Sequence, residues 1–239
     1  MSNEKQHHST YIVDLDRCLV DSSYLQEMLE QAYAEIVGEG AETLREIGRL
    51  VSESGGSFDM VTALSEMVTT EDLARIRKKF LELTAFNDAM YEPGAREFLQ
   101  YLRETSKPFF IMTYGGDEWQ TWKLMATNLA NVPYIILNSK DKGVYITQHY
   151  DPFASEYVFD GITNHEGKWR TISLALIDDK AVSFVGLLSP RSRGYWYKPP
   201  ERHLLQSQII GQDQLPPDVS IVYSFSDVMQ KIDKYGDKS

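Results

Sequence analysis

The sequence predicts an α/β protein: a doubly wound parallel sheet with a small all-helical domain inserted near its start. Three observations predict it. Short apolar runs end in a polar group at three places: Tyr11-Ile12-Val13 before Asp14, Phe109-Phe110-Ile111-Met112 before Thr113, and Leu174-Ala175-Leu176-Ile177 before Asp178. Segments with helical spacing separate those runs. Residues 21–88, directly after the first run, repeat helical patterns with no strand-like alternation. An apolar run that ends in an acid reads as a buried strand whose charged end emerges at a sheet edge. Helix-flanked parallel sheets keep their chemistry at those carboxyl ends.

Composition sets the outer bounds. A chain of 239 residues, 42% of them hydrophobic, can fill one core domain and a small companion. A net charge of -11 argues against general binding to nucleic-acid duplexes or anionic membranes. It does not exclude a small phosphorylated substrate, because a bound cation and local Lys or Arg can reverse the potential of one pocket. The single cysteine, Cys18, precludes an internal disulfide and suits a reducing, cytoplasmic compartment. No apolar run approaches the roughly 18 residues of a membrane span. The opening MSNEKQHHST lacks the apolar core of a signal peptide and reads as a loose solvated tail, His7-His8 included.

Helices dominate the residues after the first strand. Ser22 or Ser23 can cap a helix that carries Tyr24, Leu25, Met28, Leu29, Ala32 and Ile36, and Gly38 and Gly40 break it. A second helix over 41–52 places Leu44, Ile47, Leu50 and Val51 on one side and stops at Gly55-Gly56. A third covers 58–67. Thr70 caps a fourth, with Glu71 and Asp72 in the first turn and Leu73, Ile76, Phe80 and Leu83 along its stripe. Pro93-Gly94 turn the chain into a helix with the face Phe98, Leu99 and Leu102. Lys107-Pro108 lead into the strand that ends at Thr113.

A helix over 117–130 comes next. Asp117 and Glu118 suit its N-terminus, and Trp119, Trp122 and Met125 read as packing. Tyr134-Ile135-Ile136-Leu137 is another core strand. Over 138–170 the turn residues and interleaved β formers predict one or two hairpins. After the strand at 174–177 come a strand at 194–197 ended by Pro199-Pro200, a strand at 220–223, and a last helix capped by Ser226.

The chemistry gathers at three strand ends. Asp14 and Asp16 flank one residue, so both carboxylates can share a face. Such a pair suits phosphoryl transfer: one acid attacks phosphorus, and the other protonates the leaving oxygen and then deprotonates water. An anion attacking an anionic ester needs a cation, usually Mg²⁺. The Thr113 hydroxyl, with Tyr114 and Gly115 after it, is the candidate phosphate-holding group, because Gly115-Gly116 expose backbone N–H groups. Asp178 and Asp179 can complete a site for a hard cation with Asp14.

The run Asp14-Leu15-Asp16-Arg17-Cys18-Leu19 resembles the first motif of the haloacid dehalogenase-like (HAD) superfamily, an apolar strand followed by Asp-x-Asp-x-Thr/Val-Leu/Val. Cys18 stands where Thr or Val is usual. The strand ending in Thr113 is similar to the second motif, and the pair Asp178-Asp179 to the metal-binding motif. The resemblance implies a Rossmann-like core over 1–20 and 89–239 and a helical cap over 21–88. It implies a Mg²⁺-dependent phosphatase with Asp14 as nucleophile and Asp16 as acid and base. The metal would be held by Asp14, the Asp16 backbone carbonyl, and Asp178 or Asp179. Two alternatives use the same residues: a phosphotransferase or nucleotidase, and a catalytically weak binding protein of that fold. The hairpins expected over 138–170 depart from the pattern, which more often has a helix there.

The superfamily also uses a lysine to hold nucleophile and phosphate. Lys168 precedes the strand that ends at Asp178, and five residues of strand would leave it roughly 15 Å from the chemical end. Lys140 and Lys142 come after the strand 134–137 and start at the correct end. Lys142 is favoured, because Gly143 permits a tight turn inward, with Lys140 second and Lys180 an outside candidate.

Overall fold

In a computed structural model of the chain, the described residues are 6–38, 41–53, 59–85, 87–187, 191–199 and 206–235. The elements run β1 (Gln6–Val13), α1 (Ser22–Val37), α2 (Glu42–Glu53), α3 (Met60–Met67), α4 (Thr70–Thr84), α5 (Ala95–Glu104), β2 (Phe109–Tyr114), α6 (Asp117–Ala126) and β3 (Tyr134–Leu137). Then come α7 (Lys142–Gln148), β4 (Tyr150–Asp151), β5 (Glu156–Phe159), β6 (Trp169–Asp178), β7 (Ser192–Tyr197), α8 (Gln206–Ile209), β8 (Val219–Val222) and α9 (Phe225–Tyr235). They form two compact units. One comprises Met1–Leu19, Glu92–Thr113 and Val132–Ser239, the other Val20–Tyr91 and Tyr114–Asn131. No described helix is long and apolar enough to cross a membrane.

The first unit is built on a mostly parallel sheet. β1 pairs in parallel with β2 on one side and β6 on the other. β6 is long enough to serve two neighbours on its far side: residues 169–171 pair antiparallel with β5, and 174–178 pair in parallel with β7. β7 then pairs in parallel with β8, and β3 lies beyond β2. Ile12, Phe110, Met112, Leu176 and Trp196 are fully buried in the core around these strands. Each such side chain contributes about 1.5–3 kcal/mol by leaving water, which is why uninterrupted apolar runs become the central strands. α5 and α9 pack through the stacked rings of Phe98 and Phe225, 4.9 Å apart, and Tyr197 stacks on the same Phe225 at 4.8 Å.

The second unit is helical. The Asp21 carboxylate caps α1 by accepting from the N–H groups of Ser23 and Tyr24 at 3.0 and 3.2 Å. Gly38 ends α1 in the left-handed region at φ 80°. Leu25, Leu29 and Ala32 of α1 and Ile76 and Phe80 of α4 are buried where the two helices pack. Phe80 also meets Trp119 and Trp122 of α6, with ring centroids 5.7 and 6.1 Å away. The excursion closes on itself. Val20 bridges Tyr91 in antiparallel fashion, and the Asp21 N–H donates to Met90 O at 2.9 Å.

Several expectations change. The first strand starts at Gln6, not Tyr11, because β6 extends to Trp169 and offers an edge to which the polar residues can bond: His7 pairs with Thr171, and Ser9 Oγ lies 2.7 Å from Ser173 Oγ. Residues 138–170 hold a helix, α7, and one hairpin, β4–β5, in place of hairpins alone. Caps move by one or two residues: Asp21 caps α1, Thr69 caps α4, and Ser224 Oγ accepts from the Asp227 N–H in the first turn of α9 at 3.1 Å. Gly40, Gly55-Gly56, Phe58 and Pro200 lie outside the described residues, as do the side chains of His7, His8, Ile47, Leu50 and Val51.

Candidate active site

Register builds the site. Val13 of β1 is paired with Ile177 of β6, and the Asp14 N–H donates to Ile177 O at 2.9 Å. Parallel strands in register leave together, so Asp14 and Asp178 emerge at one level, and Asp179 comes directly after. One oxygen of each of these three buried carboxylates lies within 4.8 Å of the others. Beyond Asp14 the chain winds tightly. Arg17 has φ 60°, the left-handed region that side chains disfavour, and the Leu19 N–H donates back to Leu15 O at 3.0 Å. The Cys18 thiol donates to Ile177 O at 3.8 Å, so the residue at the departure from the family pattern ties this loop to β6.

Lys142 opens α7, and its ammonium bridges two strand ends. Its Nζ lies 2.5 Å from Asp14 Oδ1 and 2.6 Å from Asp178 Oδ2, with all three side chains buried. The other oxygen of Asp178 accepts the Lys180 N–H at 2.8 Å, so both are engaged. Asp179 differs: Oδ2 accepts from Gln208 Nε2 at 2.8 Å, and its backbone O accepts from Trp196 Nε1 at 3.0 Å. Asp14 Oδ2 and Asp179 Oδ1 are buried with no hydrogen-bond partner.

These contacts set the electrostatics. Burial, then repulsion from Asp178, pushes the Asp14 carboxyl well above its ordinary range, and Lys142 only partly offsets this. Burial foremost carries Asp179 up to about 6, with Lys180 and Gln208 pulling the other way. Burial opposes the Lys142 ammonium, yet Asp14 and Asp178 outweigh it and hold its pKa above the usual lysine value. Burial also pushes the Cys18 thiol up, with Asp14 adding to it. A set of oxygen donors short of positive charge, two of them unmet, fits a hard divalent cation.

The remaining sequence candidates are not members of this carboxylate cluster. The Asp16 side chain is half-buried and stands outside the three-carboxylate cluster. Thr113 is fully buried near the end of β2, two residues beyond Ile111, the partner of Val13. Tyr114 and Gly115 belong to the second unit, where Tyr114 O accepts from Gln120 Nε2 at 3.2 Å. Lys140 is half-buried, and its carbonyl accepts the Lys142 N–H at 2.9 Å. Lys168 is exposed and pairs with Asp160 at 3.4 Å, at the far end of the ten-residue β6.

Gly143 serves Lys142 differently from the expected inward turn. It is not a turn residue; it lies inside α7, pressed against the Ala181–Phe184 turn and the residue after it. A Cβ there would stand 2.4 Å from Val185 O and 3.0 Å from Ser183 O. Gly143→Ala should therefore force α7 away and cost about 1–3 kcal/mol. A melt within a degree of the parent, with unchanged activity, would refute this. Sequence reasoning also missed Gln208 and Trp196. The four residues of α8 show no periodicity, and Trp196 read only as part of a strand.

No family model matches the sequence, and no curated protein matches it either. Solved structures do. A protein from Burkholderia xenovorans LB400 described as a haloacid dehalogenase-like hydrolase superimposes with a TM-score of 0.62 at 18% identity, covering 94% of this chain and 98% of its own. A HAD-hydrolase from Bacillus subtilis, described with magnesium bound, gives 0.51 at 14%, covering 95% and 99%. A protein from Thermotoga maritima described as a β-phosphoglucomutase gives 0.51 at 13%, covering 94% and 99%. The fold is that of the HAD-like hydrolases.

Proposed function

We propose that this chain is a Mg²⁺-dependent phosphatase that hydrolyses a small phosphate monoester through a phosphoaspartate on Asp14. The observation that carries the proposal is the buried triad Asp14, Asp178 and Asp179, two of them paired with the Lys142 ammonium, with one oxygen each of Asp14 and Asp179 unmet. Unmet buried carboxylate oxygens are costly. A cation bound by them removes that cost and makes the pocket attractive to phosphate. Asp14 and Asp179 would hold it directly with the Asp16 carbonyl, while Asp178 is occupied by Lys142 and the Lys180 N–H. Magnesium is also the ion described in the Bacillus subtilis neighbour. Residues 21–88 serve as the cap that selects the substrate, and 1–20 with 89–239 as the catalytic core.

The residues divide the work. The Asp14 carboxylate attacks phosphorus while the bond to the ester oxygen breaks, and Asp16 gives that oxygen a proton. Water then attacks the phosphorus and yields its proton to Asp16, and the Asp14–phosphorus bond breaks to free inorganic phosphate. Lys142 holds Asp14 in line and offsets charge on the phosphoryl oxygens, and the Thr113 hydroxyl donates to one of them. Bound magnesium supplies further neutralisation of those oxygens.

Turnover of p-nitrophenyl phosphate with Mg²⁺ and with chelator tests this. The chelator should lower the rate by roughly a hundredfold or more, as the loss of several kcal/mol of charge stabilisation requires. A rate indifferent to chelator would overturn the proposal.

Stability supplies a second reading of the metal. The folded-state pKa of Asp179 is raised from 3.8 to about 6. A raised carboxyl contributes stability below 3.8 that is lost as pH climbs through about 6. The metal-free protein should lose this contribution over that interval, while Mg²⁺, which needs the ionised form, gains its hold. The stabilisation by Mg²⁺ over chelator, read from melts, should open from about pH 4.5 to about pH 7, reaching about 2.7 kcal/mol at a hundred times Kd. A difference that is flat or narrows as pH rises would contradict the assignment of Asp179 as a ligand.

A further inference from the structure

Asp179 is held from an unexpected direction. Gln208 engages its carboxylate from α8, 29 positions later in the chain. Gln208 is 6% exposed, and α8 packs on the Ala181–Phe184 turn that directly succeeds the acidic pair. The geometry points to Gln208 as the positioning residue of the metal site: its amide fixes the rotation of the Asp179 carboxylate, so that Oδ1 is presented to the cation. This inference rests on the proposed metal site.

Three observations carry it. An amide nitrogen donates only, and Gln208 Nε2 engages one carboxylate oxygen of Asp179, Oδ2, at 2.8 Å. The oxygen left over, Oδ1, is the buried one without a partner, as is Asp14 Oδ2 in the same cluster. The backbone of Asp179 is pinned separately, by the fully buried Trp196 indole at 3.0 Å. With main chain and one oxygen both held, the second oxygen has a single direction. A cation meets a ligand already in place and spends little of its binding energy on ordering it. Replacing a group that orients a ligand in this way typically weakens metal binding by about 10–100-fold.

A purely structural role would look different. If Gln208 only satisfied a buried carboxylate, its loss would lower the melting temperature and leave the metal affinity unchanged. The test is calorimetric titration of Mg²⁺ into the full chain, without substrate, for the parent, Gln208→Met and Gln208→Asn. Methionine keeps the length and removes the donor, whereas asparagine keeps the donor and withdraws it by one methylene. Gln208→Met should bind Mg²⁺ about 10–100-fold more weakly at unchanged stoichiometry, and Gln208→Asn should fall between it and the parent. Melts in chelator show which variants are folded; if Gln208→Met is not, Gln208→Asn decides alone. Parent-like affinity in a folded variant overturns the inference and leaves the phosphatase reading standing. No Mg²⁺ binding by the parent overturns both.

Discussion

Asp14→Asn should stop turnover of phosphate monoesters, with a loss on the order of 10⁵ or more, the scale seen when a covalent nucleophile is removed. An amide at the end of β1 cannot attack phosphorus. The substitution should not unfold the chain, because Asp14 is one of three carboxylates crowded into a dry cluster, and burial and Asp178 already push its pKa up. Taking one negative charge out relieves that repulsion, and the amide oxygen can still accept from Lys142. Equal or higher Tm with no activity is therefore the expected combination at neutral pH. Asp16→Asn should be milder on p-nitrophenyl phosphate than on an alkyl phosphate, since an activated leaving group needs no proton. Parent-like turnover by Asp14→Asn on any ester would refute the covalent route.

Lys142→Met should damage rate and stability together. The ammonium is the shared partner of Asp14 and Asp178 at 2.5 and 2.6 Å, within a fully enclosed setting. Breaking a buried pair by removing one side typically costs about 3–5 kcal/mol, because the remaining charge stays buried. Here two carboxylates lose their cation. The rate should fall by about 10²–10³ from the loss of one preorganised positive charge at the phosphoryl group, beyond any loss of folded protein.

The pH dependence has a definite sign. Without Lys142 the Asp14 pKa rises further, so the protonated form is favoured in the folded state, and the deficit in Tm should widen as pH rises and shrink in acid. Lys142→Arg should not restore the rate, since a planar guanidinium cannot replace a compact ammonium between two strand ends. Lys168→Met should leave the rate within about twofold, because an exposed pair such as Lys168–Asp160 is worth little. A severe loss in Lys168→Met, with Lys142→Met unaffected, would refute the assignment.

Local pattern was enough to place the strands that bury on both faces and the residues at their ends. Tyr11-Ile12-Val13 and Leu174-Ala175-Leu176-Ile177 leave little choice, since only a central strand removes such runs from water. The residue after each run must then stand at the carboxyl end of the sheet. Asp14, Thr113, Asp178 and Asp179 were legible for that reason. The helical stripes of α1 and α4 were legible because a period of 3.6 is a local property.

Packing between distant segments settled the rest. Val144-Tyr145-Ile146-Thr147 favours a strand, yet α7 forms because Gly143 lets a helix close onto the Ala181–Phe184 turn. Gln6 to Thr10 carries no apolar pattern and becomes strand only because β6 offers it an edge. Lys142 meets Asp14 across 128 positions, and Gln208 meets Asp179 across 29. Such contacts depend on register and on how remote elements dock, while hydrophobic periodicity reports only whether a segment's own face is buried.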